Sequence, residues 1–283
     1  MLSCPIAYLG PEGTFSHLLA RKRFGSRHEL IPCADFSMAF EILQKNPRAR
    51  AVVPIENSSG GTIYDSMDLL IRNAGKIYVQ EDLVLDVRLA LLGHRGEELR
   101  DVYSHFAPLH HHREWLLEQY PGIAIHSVAS TAMAAELAAK SKNAAALSAP
   151  GAAAIYDLDV LKFPIRPEAI NVTRFYVVGQ SAPKQKAGKP HKTALVFRLK
   201  NHCGSLHAFL GHFSKEGVNL RMIVSRPVPG HPETYLFFVE VDGATAPDVT
   251  VPTPVSLALE KAAQECEKLD ILGSFPVGRR FAS

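Results

Sequence analysis

Short apolar runs separated by polar, helix-capping stretches set the rhythm of the chain. Ile6-Ala7-Tyr8-Leu9 reads as a buried strand, Gly10-Pro11-Glu12-Gly13 as a turn, and Thr14 or Ser16 as the cap of a helix running to about Phe24. Glu29-Leu30-Ile31-Pro32 gives a second strand. Asp35 caps a helix through Leu43 whose apolar positions Phe36, Ala39, Phe40 and Leu43 share a face. Ala51-Val52-Val53-Pro54-Ile55 is continuous in the manner of a buried parallel strand, and a helix follows from Ile63 to Ile71. Two longer strands come next, Val79 to Leu85 and Val87 to Leu92. The alternation then resumes with a strand at Val102-Tyr103-Ser104-His105, a helix from His110 to Gln119 and a strand from Ile123 to Val128. An Ala-rich helix opened by Ser130-Thr131, a strand Ala144 to Ser148 and a short helix to Tyr156 complete the series. Asn171-Val172-Thr173-Arg174-Phe175 leads into a last buried run, Tyr176-Val177-Val178.

This order predicts two mixed α/β lobes, residues 1–78 with 172–180 and residues 79–171, joined by two crossovers. The architecture resembles a type II periplasmic-binding-protein clamshell, in which ligands sit at the carboxyl ends of strands. The polar ends after Leu9, Ile55, Val102 and Val128 would then face one cleft, with Thr173 and Arg174 at a crossover. Side chains alternate along a strand, so those two residues reach one ligand only if the strand ends or bends there. Gln180 to Pro190 is a polar, proline-bearing linker. Beyond it, strand Thr193–Leu199, a helix from Gly204 to about Glu216, strands Asn219–Ser225 and Tyr235–Val241, a helix from about Val255 and a strand Ile271–Phe275 form a ferredoxin-like βαββαβ unit.

Composition narrows the field without choosing a function. A length of 283 residues suits two domains. Net charge is only +3 with no basic run, so nucleic acid is not an expected partner. No apolar run approaches the roughly 18 residues that span a bilayer, and the first residues do not read as a signal peptide. Cys4, Cys33, Cys203 and Cys266 lack paired spacing and read as reduced thiols, which points to the cytoplasm. His105, His110, His111 and His112 invite a metal, but contiguous histidines diverge around a helix, so no metal site is expected.

The candidate chemistry lies in five short motifs. Tyr8-Leu9-Gly10-Pro11-Glu12-Gly13-Thr14-Phe15-Ser16 joins a glycine turn to a helix N-terminus, where backbone N–H groups suit an anion. Val53-Pro54-Ile55-Glu56-Asn57-Ser58 ends a buried strand in a carboxylate, an amide and a hydroxyl. Ser104-His105 and Ser130-Thr131-Ala132 open helices, and Thr173-Arg174-Phe175 pairs a hydroxyl with a guanidinium fork suited to a carboxylate. Together these closely resemble the motifs of prephenate dehydratases. Gly204-Ser205-Leu206, Asn219-Leu220 and Ser225-Arg226-Pro227 resemble an ACT regulatory domain. The chain departs from the family pattern at Phe106-Ala107, Gly60-Gly61 and Val224.

The resemblance implies conversion of prephenate to phenylpyruvate, water and carbon dioxide, without metal, nucleotide or organic cofactor. The barrier is expulsion of hydroxide, so a proton donor is needed; Thr173 is expected in that role, backed by Glu56 if burial keeps it protonated. Arg174 is expected on the carboxylate that is retained, since binding the departing one would stabilise the ground state. Thr14, Phe15, Ser16, Asn57, Ser58, Ser104, His105, Ser130, Thr131 and Asn171 are expected around the substrate, with Phe175 more a core residue. Gly204, Leu206, Asn219, Leu220, Ser225 and Arg226 are the expected phenylalanine effector site, at an interface that implies a homodimer or homotetramer. Two rivals remain: arogenate dehydratase, the same chemistry on the aminated substrate, and a small-anion-binding module without turnover.

Overall fold

The computed structural model describes residues 4–166, 170–183, 190–228, 230–245 and 252–283. The expected linker falls largely outside these residues, as does Pro229 of the turn after Arg226. The first lobe begins with β1 (Ile6–Leu9), α1 (Phe15–Phe24), β2 (Leu30–Cys33), α2 (Phe36–Lys45), β3 (Arg50–Asn57), β4 (Gly61–Thr62), α3 (Tyr64–Arg72) and β5 (Tyr78–Asp86). The second lobe comprises β6 (Ala90–Gly93), β7 (Asp101–Ser104), α4 (Phe106–Gln119), β8 (Ala124–Ser127), α5 (Thr131–Lys140), β9 (Ala144–Ser148), α6 (Ala152–Tyr156) and β10 (Asp159–Lys162). β11 (Val172–Gly179) returns to the first lobe. The remainder is β12 (His191–Leu199), α7 (Ser205–Lys215), β13 (Leu220–Pro227), β14 (Tyr235–Asp242), α8 (Pro254–Ala262), β15 (Cys266–Pro276) and β16 (Arg279–Ala282).

Three sheets result. The first runs β16-β5-β11-β3-β1-β2 with β4 on β3, the second β10-β6-β9-β7-β8, and the third β13-β14-β12-β15. The third has the strand order and antiparallel pairing of a ferredoxin-like βαββαβ unit, with β12 central. The predicted two-lobed α/β plan with a ferredoxin-like appendage is therefore the architecture of the molecule. One boundary moves. The two long strands after α3 belong to different sheets, so β5 lies in the first lobe and the chain crosses at residues 87–89 rather than 78–79. The two crossovers run side by side there, the Val87 N–H donating to the Asn171 carbonyl at 2.8 Å and the Ile165 N–H to Leu89 at 3.0 Å.

Local chemistry explains the helix starts. Thr14, Asp35, Ser130 and Thr253 each accept a backbone N–H three residues on, satisfying a donor the helix cannot. Packing joins the sheets: Val53, Ile55, Tyr176 and Val178 on one face of the first sheet share a core with Val196, Phe238 and Phe275 of the third. The opposite face of the first sheet, through Val52, Phe175 and Val177, packs on Leu19 and Phe24 of α1. β16 then leaves the third sheet and pairs in parallel with β5 at the edge of the first. Its backbone is pinned at the crossover, where the Ser283 N–H donates to Asp86 at 3.1 Å and the Arg88 N–H to the Ser283 hydroxyl at 2.7 Å.

Candidate active site

β3 and β11 are antiparallel neighbours whose ends define the site. Thr173 sits opposite Asn57, and Arg174 opposite Glu56. The irregularity in this pairing comes only after Arg174, so Thr173 and Arg174 alternate as in a regular strand and leave on opposite faces. Thr173 and Asn57 line an open cavity of about 250 Å³ between the lobes. Arg174 and Glu56 turn away from it, toward the third sheet.

The expectation that Arg174 holds a substrate carboxylate, with Glu56 backing Thr173, is therefore corrected. The Arg174 guanidinium donates to Glu56 at 3.2 Å, to Asp82 at 3.2 Å and to Glu240 of β14 at 2.7 Å. Lys192 of β12 closes the cluster at 3.0 Å from Asp82 and 3.1 Å from Glu240. The Tyr176 hydroxyl donates to Glu240 at 2.5 Å. Burial by itself would raise the fully buried Glu240 carboxyl, but Arg174 and Lys192 beside it hold it below the usual carboxylate range. The same surroundings push the buried Tyr176 hydroxyl well above its ordinary value, first through desolvation and then through the Glu240 charge. This is a buried ionic joint between the first and third sheets.

On the cavity side, hydrogen bonds fix the orientation of the Asn57 amide. Its Oδ1 accepts the N–H groups of Ser59 at 2.9 Å and Gly60 at 3.0 Å. Its Nδ2 must therefore point the other way, where it donates to Asn171 Oδ1 at 2.7 Å and to Thr173 Oγ1 at 2.9 Å. A hydroxyl that accepts from Asn57 keeps its own proton for another partner, and the cavity lies in front of it.

The remaining walls come from both lobes. Phe15 opens α1, Val87 and Leu89 belong to the crossover, and His105, Ala107, Pro108 and His111 form the start of α4. Ala129, Ser130 and Thr131 bring the N-terminus of α5. Three helix N-termini thus face one space, an arrangement suited to anions. His105 is half-buried, and desolvation lowers its pKa, so near neutrality it is an uncharged hydrogen-bonding group.

Several expected residues have structural tasks instead. Thr14 donates to the carbonyls of Leu9 and Pro11 at 3.0 Å and caps α1. Ser16 is buried in the first turn of α1. Ser58 accepts the Val172 N–H at 2.9 Å, tying the loop after β3 to β11. Ser104, fully buried, donates to Leu147 at 2.7 Å inside the second sheet. Phe175 lies in the core. The Gly13 N–H, in the turn just before α1, donates to His17 Nδ1 at 3.1 Å. Cavity walls the motifs did not disclose are Val87, Leu89, Pro108, Ala129 and His111; the last lies one helical turn beyond Ala107, a spacing that could have revealed it.

In the third sheet the expected effector positions separate. Gly204, at φ +83, caps α7, and Leu206 lines a polar hollow of about 270 Å³. Asn219 and Leu220 border a different surface hollow, with Asn219 donating to Asp242 at 3.1 Å. Arg226 forms a two-pronged ion pair with Asp68 of α3, at 2.6 and 2.7 Å, and lies over the Tyr64 ring. It ties the third sheet to the first lobe, contrary to the effector assignment, and Ser225 lies on the same strand.

Residues 6–183 match the family model described as prephenate dehydratase. A bifunctional chorismate mutase/prephenate dehydratase of Aquifex aeolicus is 32% identical, the match covering 96% of this chain and 73% of that protein. Among solved structures, a prephenate dehydratase from Arthrobacter aurescens in complex with L-Phe aligns with TM-score 0.82 and 29% identity over 97% of this chain and 90% of that one. GqqA, described as a novel type of quorum quenching acylase, aligns with TM-score 0.84 and 26% identity over 96% and 97%. With the motif order, the two-lobed cavity and the ferredoxin-like unit all in agreement with these matches, the chain belongs to the prephenate dehydratase family.

Proposed function

We propose that the chain converts prephenate to phenylpyruvate. The observation that carries this reading is the locked Asn57 amide, which leaves the Thr173 proton directed at the cavity. In the reaction the C1–carboxylate bond breaks, its electron pair enters the ring, and hydroxide leaves C4 with a proton as water. Thr173 donates toward the leaving oxygen, and solvent restores its proton. A threonine hydroxyl is a weak acid, so positioning and exclusion of water supply much of the effect. The retained side-chain carboxylate lies against helix N-termini among those of α1, α4 and α5.

Among the described residues, the cavity wall holds no Asp or Glu. That favours the keto substrate over arogenate, whose ammonium would have no counter-charge. An acyl-hydrolysing reading needs a base on the nucleophile, whereas the partner found on Thr173 is an amide donor.

Control by phenylalanine through the third sheet is part of the same proposal. It is supported by that sheet's fold, by the L-Phe bound to the Arthrobacter relative, and by the hollow beside Leu206. Pairing of two copies is supported by β13, an edge strand exposing Leu220 and Ile223. The described cysteines are free thiols and no described helix is long and apolar enough to cross a membrane, which supports a cytoplasmic setting.

The test is turnover of prephenate by the native protein and by Thr173→Ala, Thr173→Ser and Thr173→Val. Ala and Val should lose at least about a hundredfold in kcat while Ser retains part of it. Native kinetics in Thr173→Val would remove Thr173 from the chemistry, and a native protein inactive on prephenate would overturn the function.

A further inference from the structure

With Arg174 committed to the joint between the sheets, the substrate's retained carboxylate needs another side chain. Among the described residues, the cavity wall carries no Lys or Arg; the groups on it that can bear positive charge are the imidazoles of His105 and His111. His105 is half-buried and held toward neutrality by desolvation. His111 is exposed on the next turn of α4, on the face it shares with Ala107 and Pro108. Its neighbours face other surroundings: His110, whose ring meets that of His111 edge-on with centroids 5.6 Å apart, lines a separate surface groove with Phe106 and Arg113, and His112 is buried. Of the three contiguous histidines, the middle one alone borders the cavity.

We propose that His111 is a substrate-binding residue that donates a hydrogen bond to the retained side-chain carboxylate. The inference rests on the prephenate reading above and adds to it the group that meets the second anionic centre. The geometry suits that division. Thr173 and Asn57 rise from the first sheet, while His111 comes from the second lobe across the opening. A molecule with an alcohol at one end and a carboxylate at the other would bridge the two lobes and draw them together. The imidazole makes no bond in the reaction; its interaction with a carboxylate that does not react is equal in ground and transition states, so its loss belongs in KM.

The test compares native protein, His111→Ala and His110→Ala with prephenate as substrate. Loss of a charge-assisted hydrogen bond raises KM by about tenfold or more, with kcat kept within about threefold. That result in His111→Ala, with native kinetics in His110→Ala, supports the assignment. A KM within about twofold of native, a loss confined to kcat, or an equal effect of His110→Ala overturns it. Both side chains are exposed, so folding is not at stake; far-UV circular dichroism checks this. On native protein labelled at histidine, added phenylpyruvate should move the His111 ring resonances, and an unmoved His111 also overturns the assignment. A native protein that does not turn over prephenate overturns the underlying reading and this inference with it. An active native protein with unaltered His111→Ala overturns the inference alone.

Discussion

Replacing Glu240 by Ala tests whether the buried ionic joint holds the third sheet to the first. The Glu240 side chain is fully buried and takes Arg174, Lys192 and the Tyr176 hydroxyl. After substitution Arg174 keeps Glu56 and Asp82, Lys192 keeps Asp82, and Tyr176 loses its acceptor. Breaking a buried pair from one side costs about 3–5 kcal/mol. Retention of Asp82 argues for the lower part of that range, while the stranded Tyr176 hydroxyl adds about 1–3 kcal/mol. The expected loss is therefore about 4–6 kcal/mol in all. Urea unfolding measures it, followed by far-UV circular dichroism and by fluorescence of Trp115, the single tryptophan, which lies on α4 of the second lobe. Coincidence of the two probes would justify a single free energy. Glu240→Leu combined with Arg174→Met should cost less than the sum of the two single changes by about 2 kcal/mol, because the double variant buries no unpaired guanidinium. A loss below about 1 kcal/mol for Glu240→Ala, or additivity within about 0.5 kcal/mol, would refute the argument.

Acid should weaken the fold in two stages. His17 and His105 have pKa values lowered by burial, so the unfolded chain takes up more protons below about 6.5, and stability falls from there as pH drops. Glu240, held low by Arg174 and Lys192, contributes stability above the ordinary carboxylate value of 4.5 that is lost as pH falls through its folded value. Glu240→Gln should shrink the second stage, to which Asp86 and Asp242 beside their arginines still contribute, and keep the first; an unchanged urea-midpoint profile below 4.5 would contradict this. Gly13→Ala should cost about 1–2 kcal/mol, because φ there is +87° and a Cβ would lie 3.1 Å from the Tyr156 ring. It should also raise KM, since Gly13 is where the first lobe touches α5 and α6; a variant within about 0.5 kcal/mol of native would show the turn can relax.

Where pattern and pairing agree, the chain was readable. Buried runs such as Val52-Val53-Pro54-Ile55 and caps such as Asp35 and Ser130 carry their own instructions, so element order followed from periodicity. β10 and β16 escaped because they are short edge strands whose order comes from partners, not from alternation. The lobe boundary slipped because two adjacent apolar strands look like a hairpin, although they enter different sheets. Arg174 was misplaced for a physical reason. A guanidinium beside a hydroxyl suggests one ligand, but strand geometry separates neighbours, and nothing local shows which face meets solvent. The sign was distant: Glu240 stands as a lone acid within Phe237-Phe238-Val239-Glu240-Val241, and a carboxylate inside so apolar a strand requires a buried cation somewhere.

The return of β16 to β5 has a consequence for how the protein can be divided. In sequence, the region matching the dehydratase family ends at residue 183 and the appended unit follows. In space, the first sheet takes its outermost strand from residues 279–282, beyond that unit. A chain shortened to the family region would unpair Leu83 to Asp86 of β5, four residues of newly open edge, and invite sheet-to-sheet aggregation. The two parts are thus interleaved rather than strung together, and a nick in the connecting segment would leave them held by a borrowed strand.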